Sequence, residues 1–219
     1  MSLFNSSTID NIRDVEINPP SFVKVPSSSS PAELKKLIDD WHLIGHSEGG
    51  FFKETDRSPF SMIVEGSNEN AASDSKAIKA DSNDTPEIGS VTRRNYSTLI
   101  YYLLTPSSPI GKLHKNRNRI IHILQRGRGQ YVLIYLDGRI KSFKVGFDYT
   151  KGEVSQWVVP GDVYKASFVL PNDEFCNGLL ISEVVVPGFE YADHCFMSGY
   201  EELKALAGEE EAKRLKFLM

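Results

Sequence analysis

Residues 88–136 contain no aspartate and no glutamate. The same 49 positions hold eight cations: Arg93, Arg94, Lys112, Lys115, Arg117, Arg119, Arg126 and Arg128. Because the whole chain stands at −4, the remaining residues sum to −12, and a basic strip runs through an acidic protein. A second absence is of long apolar runs: none reaches the length of a membrane span. The first residues have no apolar signal core and carry Asp10, Asp14 and Glu16, which excludes a secretory signal and argues against a transit peptide. Cysteine is scarce, with only Cys176 and Cys195. That excludes a disulfide framework, and two buried thiols in a reducing compartment are expected. A pI near 5.8 argues against general nucleic-acid affinity. Neither nucleic acid nor membrane is an expected partner, and a cytoplasmic or nuclear-cytoplasmic location follows.

With 40% apolar and 25% charged residues, the 219-residue chain has the composition of one soluble domain. Residues 1–30 are polar, end in four serines and lack periodicity, which predicts a flexible N-terminal arm, with residues 22–25 able to pair as an edge strand. A helix is expected next. Ser30 can cap it, Pro31 suits its first position, Glu33 completes a capping box, and Leu34, Leu37, Ile38 and Trp41 follow at helical spacing. Residues 66–90, rich in Ser, Asn, Asp and Ala, read as a surface loop inserted between two strands. From residue 96 onward short β-rich runs alternate with turns. Residues 97–104 are apolar on both parities, as in a strand covered on both faces, for example by the barrel and by a subunit contact. Asp137-Gly138 predicts a type I′ hairpin turn. Residues 201–219 form a helical tail with a break at Gly208. The expected fold is all-β with flanking helices, a jelly-roll barrel spanning residues 31–200.

Two segments carry chemistry. On one strand Lys112 and His114 share a face by parity, and Arg119 can rejoin it after the intervening turn. Downstream, Pro160-Gly161-Asp162 forms a turn before Tyr164 and Lys165. These segments resemble the paired motifs of the cupin superfamily, G-x5-H-x-H-x3,4-E-x6-G followed by a later His after P-x-G. The first His position falls on Lys112, the second on His114, the Glu on Arg119 and the last His on Lys165. Metal-binding cupins hold a divalent ion at these four positions. Lysine and arginine have no free lone pair to give, so the resemblance implies a metal-free site without cofactor, suited to a small anion. A tighter resemblance, to a family of small, largely uncharacterised cupins, rests on three segments. They are His46-Ser47-Glu48-Gly49-Gly50-Phe51-Phe52-Lys53-Glu54-Thr55, Gln156-Trp157-Val158-Val159-Pro160, and Val186-Pro187-Gly188-Phe189. It implies a jelly-roll fold and a homodimer and brings no established substrate.

On this reading Lys112, Arg119 and Lys165 are anion anchors. His114 is the candidate base, with a histidine hydrogen-bonded in a polar barrel as its plainer role. Tyr131 and Tyr164 are proton donors or core aromatics. Glu48 and Glu54 flank the Gly-Gly turn as an acid/base pair or as surface carboxylates, Glu54 then pairing with Lys53 or Arg57. His122 reads as structural, and Glu183 as a buried carboxylate needing a cation from the basic strip. Arg126 and Arg128 read as solvated turn residues. Three functions stay open: binding of a small anionic metabolite, metal-independent isomerisation or epimerisation of a carbonyl substrate such as a nucleotide sugar, and a protein-interaction or storage role. His114→Gln separates the first two, because only an enzyme loses turnover while keeping affinity.

Overall fold

The computed structural model of the protein describes residues 8–64 and 92–219. Its strands are β1 (Ile44–Gly45), β2 (Phe51–Arg57), β3 (Ser61–Val64), β4 (Thr92–Asn95), β5 (Thr98–Leu104), β6 (Ile110–Asn116), β7 (Arg119–Gly127), β8 (Gly129–Ile134), β9 (Ile140–Val145), β10 (Gln156–Val159), β11 (Tyr164–Val169), β12 (Leu179–Val186) and β13 (His194–Phe196). Among the described residues four α-helices flank them: α1 (Ser21–Lys24), α2 (Ala32–Trp41), α3 (Tyr200–Ala207) and α4 (Glu209–Leu215). One sheet runs in the order β1-β2-β5-β12-β7-β10 and a second in the order β13-β6-β11-β8-β9. All the strand pairs within them are antiparallel. β3 and β4 form a separate ribbon. The loop expected over residues 66–90 lies outside the described residues.

One apolar core joins the two sheets, with Tyr102, Leu124, Trp157 and Ile181 from the first and Leu113, Tyr131, Leu133 and Phe143 from the second. This is the jelly-roll barrel expected. β8 and β11 are buried at every position. Strands covered on both faces show no simple apolar–polar alternation, and the polar residues these two carry, Gln130, Lys165 and Ser167, are buried as well. Their outer cover is the helical tail and the N-terminal segment. Leu203, Ala212, Leu215 and Leu218 of the tail are buried in the core, and Phe217 meets Phe168 edge to face.

Residues 8–30 are not a loose arm. Ile9, Ile17 and Val23 are buried in the same core, and Val15 N–H donates to the Ser142 carbonyl at 2.9 Å. Three apolar side chains on a polar segment are enough to dock it. Residues 22–25 belong to the short helix α1 and its C-terminal cap rather than to an edge strand. α2 is present where predicted, without its capping box: the Ser30 hydroxyl goes to Ser107 Oγ at 2.6 Å and Thr105 Oγ1 at 3.1 Å instead. Leu34 of α2 packs with Leu103, Phe175 and Leu180 as a second cluster, so helix α2 covers the second face of β5 here. The β8–β9 turn is longer than the two-residue type expected. Tyr135 pairs with Arg139 across three residues, Gly138 taking φ +85°, the common three-residue alternative. Cys176 is half-buried and Cys195 exposed, both as free thiols, in contrast to the two buried thiols expected.

Candidate functional site

The motif segment 46–50 builds a tight turn. Gly49 N–H donates to the His46 carbonyl, and His46 N–H to the Gly50 carbonyl, both at 3.0 Å. Gly49 takes φ +100°, and a Cβ there would collide with the Ile110 carbonyl oxygen. Glycine therefore lets the turn press onto β6. The Glu48 carbonyl accepts from Lys112 N–H at 2.7 Å and the Gly49 carbonyl from the Tyr102 hydroxyl at 2.9 Å. These bonds hold the Glu48 side chain, 8% exposed, inside the barrel mouth.

His114 approaches from β6. In the register against β11, Lys165 faces His114 while Ser167 faces Gly111. Three residue steps on β6 thus match two on β11, which is a bulge. The extra residue breaks parity: Gly111 and His114 line one cavity, and Lys112 is exposed. His114 Nδ1 donates to the Lys112 carbonyl at 2.7 Å, which leaves Nε2 as a bare lone pair. That atom is buried without a hydrogen-bond partner and stands 3.3 Å from Glu48 Oε2.

His194 arrives on β13, antiparallel to β6 with Phe196 opposite His114. The preceding residue anchors it. Asp193 takes a two-pronged bond from buried Arg94 at 2.6 and 2.9 Å, and Arg117 N–H donates to its carbonyl at 2.8 Å. His194 Nε2 lies 2.8 Å from Glu48 Oε1, and its ring stacks on His114 at 5.1 Å between centroids. Phe189 and Phe196 close over His194 edge to face.

Deeper in the barrel, Lys165 Nζ donates to Glu183 Oε2 and to His122 Nε2, each at 3.0 Å. Tyr131 packs edge to face on His122. Glu48, His114, Tyr102, Tyr131, Lys165, Ser167 and Glu183 enclose a cavity of about 10 Å³, the room of a single water. Burial drives His114 down, Glu48 only partly opposing it, to about 3, and holds His122 well below its usual value with help from Lys165. Burial alone would raise Glu48, but His114, the His194 hydrogen bond, His46 and Lys165 hold it below the ordinary carboxylate range. Tyr102 and Tyr131 are pushed well up by burial and by neighbouring carboxylates. At neutral pH Glu48 is thus an anion and His114 and His122 are neutral imidazoles, while Lys165 and Glu183 form a buried ion pair beside them.

Of the residues singled out in the sequence, His114, Tyr131 and Lys165 meet at this cavity. Four do not. Lys112 is turned out by the bulge. Arg119 is exposed at the start of β7, where Ile120, His122 and Leu124 take the buried parity; apolar residues on both parities hid which face was inside. Glu54 is exposed and paired with Arg57 at 2.9 Å. Tyr164 donates to Glu202 at 2.5 Å, on the face of β11 opposite Lys165. Glu183 has a buried cation, as required, though Lys165 lies outside the basic strip. His194 was missed, since nothing in its spacing marks it. Glu48 could have been ranked higher, because two glycines forced into positive φ signal a pinned neighbour.

Two facing antiparallel sheets with a polar pocket at one end define a cupin barrel. The model of the Cupin superfamily (DUF985) matches residues 35–197, and the chain belongs to that family. It is 60% identical over 213 residues, 97% of this chain and 99% of the relative, to the Uncharacterized protein YML079W of Saccharomyces cerevisiae. A hypothetical protein from Leishmania major is similar in structure, with a TM-score of 0.60, 26% identity and coverage of 78% of this chain and 90% of that one. Protein SO0799 from Shewanella oneidensis shares the fold, with a TM-score of 0.63, 20% identity and coverage of 84% and 95%. Among the described residues no helix is long and apolar enough to cross a membrane. As a set, the four cupin motif positions do not fit a metal ion here: Lys112 and Arg119 are exposed and the inner Lys165 offers no lone pair, which leaves His114 alone with one to give.

Proposed function

We propose that the protein is a small-molecule-binding cupin whose ligand enters the barrel mouth and sets a polar head against His114. The observation carrying this reading is His114 Nε2, a lone pair buried at the cavity without a partner. Most buried polar atoms in native proteins are satisfied, so an orphan aimed into a cavity marks a place for something else. Phe189 and Phe196 beside His194 offer aromatic edges to the body of the ligand.

The anion expected from the sequence needs a companion. Of its three anchors only Lys165 faces the cavity, and Glu183 neutralises it. With Glu48 ionised, the interior sums to −1, which repels a bare anion and suits a ligand that donates hydrogen bonds or arrives with a cation. The isomerase reading is weaker. Tyr164 faces Glu202, and an imidazole held near 3 is a poor base at neutral pH.

The test is the native mass of freshly purified protein beside its denatured mass. One additional non-covalent mass per chain, lost in His114→Gln, supports the reading, and the same spectrum reports whether the protein is the homodimer expected. An empty barrel, with no stabiliser found in a thermal-shift screen of metabolites, would sink it.

A further inference from the structure

We infer that Glu48, His114 and His194 form a site for one divalent transition-metal ion, which keeps a single position of the cupin motif, His114, and draws its other two ligands from elsewhere in the chain. Resting on the small-molecule reading above, this inference names the cation that such a ligand requires. The donor atoms of the three side chains lie within 4.8 Å of one another. Two ligand atoms each about 2.1 Å from a zinc-type ion stand roughly 3.0–3.4 Å apart at octahedral to tetrahedral angles. Glu48 Oε2 and His114 Nε2 are separated by 3.3 Å.

Three features favour an ion over chance proximity. First, the closest approach between His114 and Glu48 sets a lone pair against a carboxylate oxygen, two acceptors that need a positive or doubly donating body between them. Second, the other nitrogen of His114 donates to a backbone carbonyl at 2.7 Å, the outer bond that metal-bound histidines characteristically make and that fixes the tautomer. Third, His194 presents Nε2 to the same carboxylate from a separate strand, locked through Asp193 and Arg94. Bound in its Nδ1-protonated tautomer, His194 supplies the third ligand. Two imidazoles and one carboxylate disfavour the magnesium and calcium class, which takes oxygen ligands, and favour imidazole-binding ions such as zinc or iron(II) with open coordination positions. A +2 ion turns the interior from −1 to +1. A small anion then becomes the natural further ligand, bound to the metal and not to Lys112 or Arg119.

The full-length protein is stripped with a chelator and titrated with Co²⁺, followed by visible ligand-field bands and by native mass. One ion per chain is expected, with affinity falling at least roughly 100-fold, the upper end of what loss of an outer-shell partner costs, in Glu48→Gln and His194→Ala and unchanged in Glu54→Gln. Glu48→Gln is nearly isosteric, and an unaltered near-ultraviolet circular dichroism spectrum keeps it decisive if His194→Ala fails to fold. Absence of bands, or equal affinity in Glu48→Gln and the parent, would overturn the metal site and leave a water donating both hydrogens as the occupant. Organic mass retained by metal-stripped protein would refute the inference while sparing the small-molecule reading. A single bound ion with no organic ligand in any screen would do the reverse.

Discussion

Lys165 and His114 face each other in the register of β11 against β6, yet the ammonium turns inward to Glu183 and His122 and leaves the imidazole to Glu48 and His194. One cavity thereby has two unlike walls. One is a closed ion pair, and the other is rich in lone pairs.

The closed pair has a measurable consequence. Both partners are more than nine-tenths buried, so Lys165→Met strands the Glu183 carboxylate. The expected destabilisation is about 3–5 kcal/mol in urea unfolding. Lys165→Met combined with Glu183→Leu should recover most of that loss, because two apolar groups replace two compensated charges. A single mutant as stable as the parent would mean that the pair is hydrated.

The Gly-Gly turn yields a second prediction. Gly49→Ala forces a side chain into positive φ, at a cost of about 1–3 kcal/mol, and also into the Ile110 carbonyl. Net destabilisation of at least about 2 kcal/mol is expected. Gly45→Ala, where a Cβ meets nothing within 4 Å, should be neutral or stabilise by up to about 1 kcal/mol by narrowing the unfolded ensemble. Equal effects at the two sites would remove the turn from the account of how Glu48 is held.

The architecture was largely legible from strand spacing, turn residues and motif resemblance, because those signals are local. The site was legible only in part. His114 and Lys165 sit where the motif put them. Lys112 does not, because parity fails at the β6 bulge, and a bulge leaves no mark in a run such as Ile110-Gly111-Lys112-Leu113-His114. Arg119 was misassigned because β7 is apolar on both faces. His194 lies far along the chain from Glu48 and reaches it only through sheet pairing and the Arg94–Asp193 bond, which is information of tertiary structure alone. Arg94 also shows that the acid-free strip is not one electrostatic surface: one of its cations is spent inside the fold.

That correction is itself testable. Lys112→Ala and Arg119→Ala remove charges the structure sends to solvent. Each should alter stability by less than about 0.5 kcal/mol and leave the mass of any bound ligand unchanged in native spectra. Loss of ligand in either variant would return the basic strip to the pocket.

The tail offers a pH-dependent prediction away from the mouth. Tyr164 donates to Glu202 Oε1, and Ser198 N–H to Oε2 at 2.6 Å, so α3 is tied to β11 through one carboxylate. Burial opposes ionisation of Glu202, but these hydrogen bonds outweigh it and bring the group below its ordinary 4.5. A carboxylate depressed in the folded state binds protons more readily when unfolded. Its stabilising contribution is therefore fully present above 4.5 and is lost as pH falls from there through the folded value. Glu202→Gln lacks this contribution at every pH. The stability gap between parent and Glu202→Gln, measured by urea midpoints, should be widest near neutrality and shrink as pH drops below 4.5. Tyr164→Phe should shrink the same gap by raising the folded pKa of Glu202. A gap that stayed constant down to pH 3 would show that the carboxylate acts through packing and not through its charge.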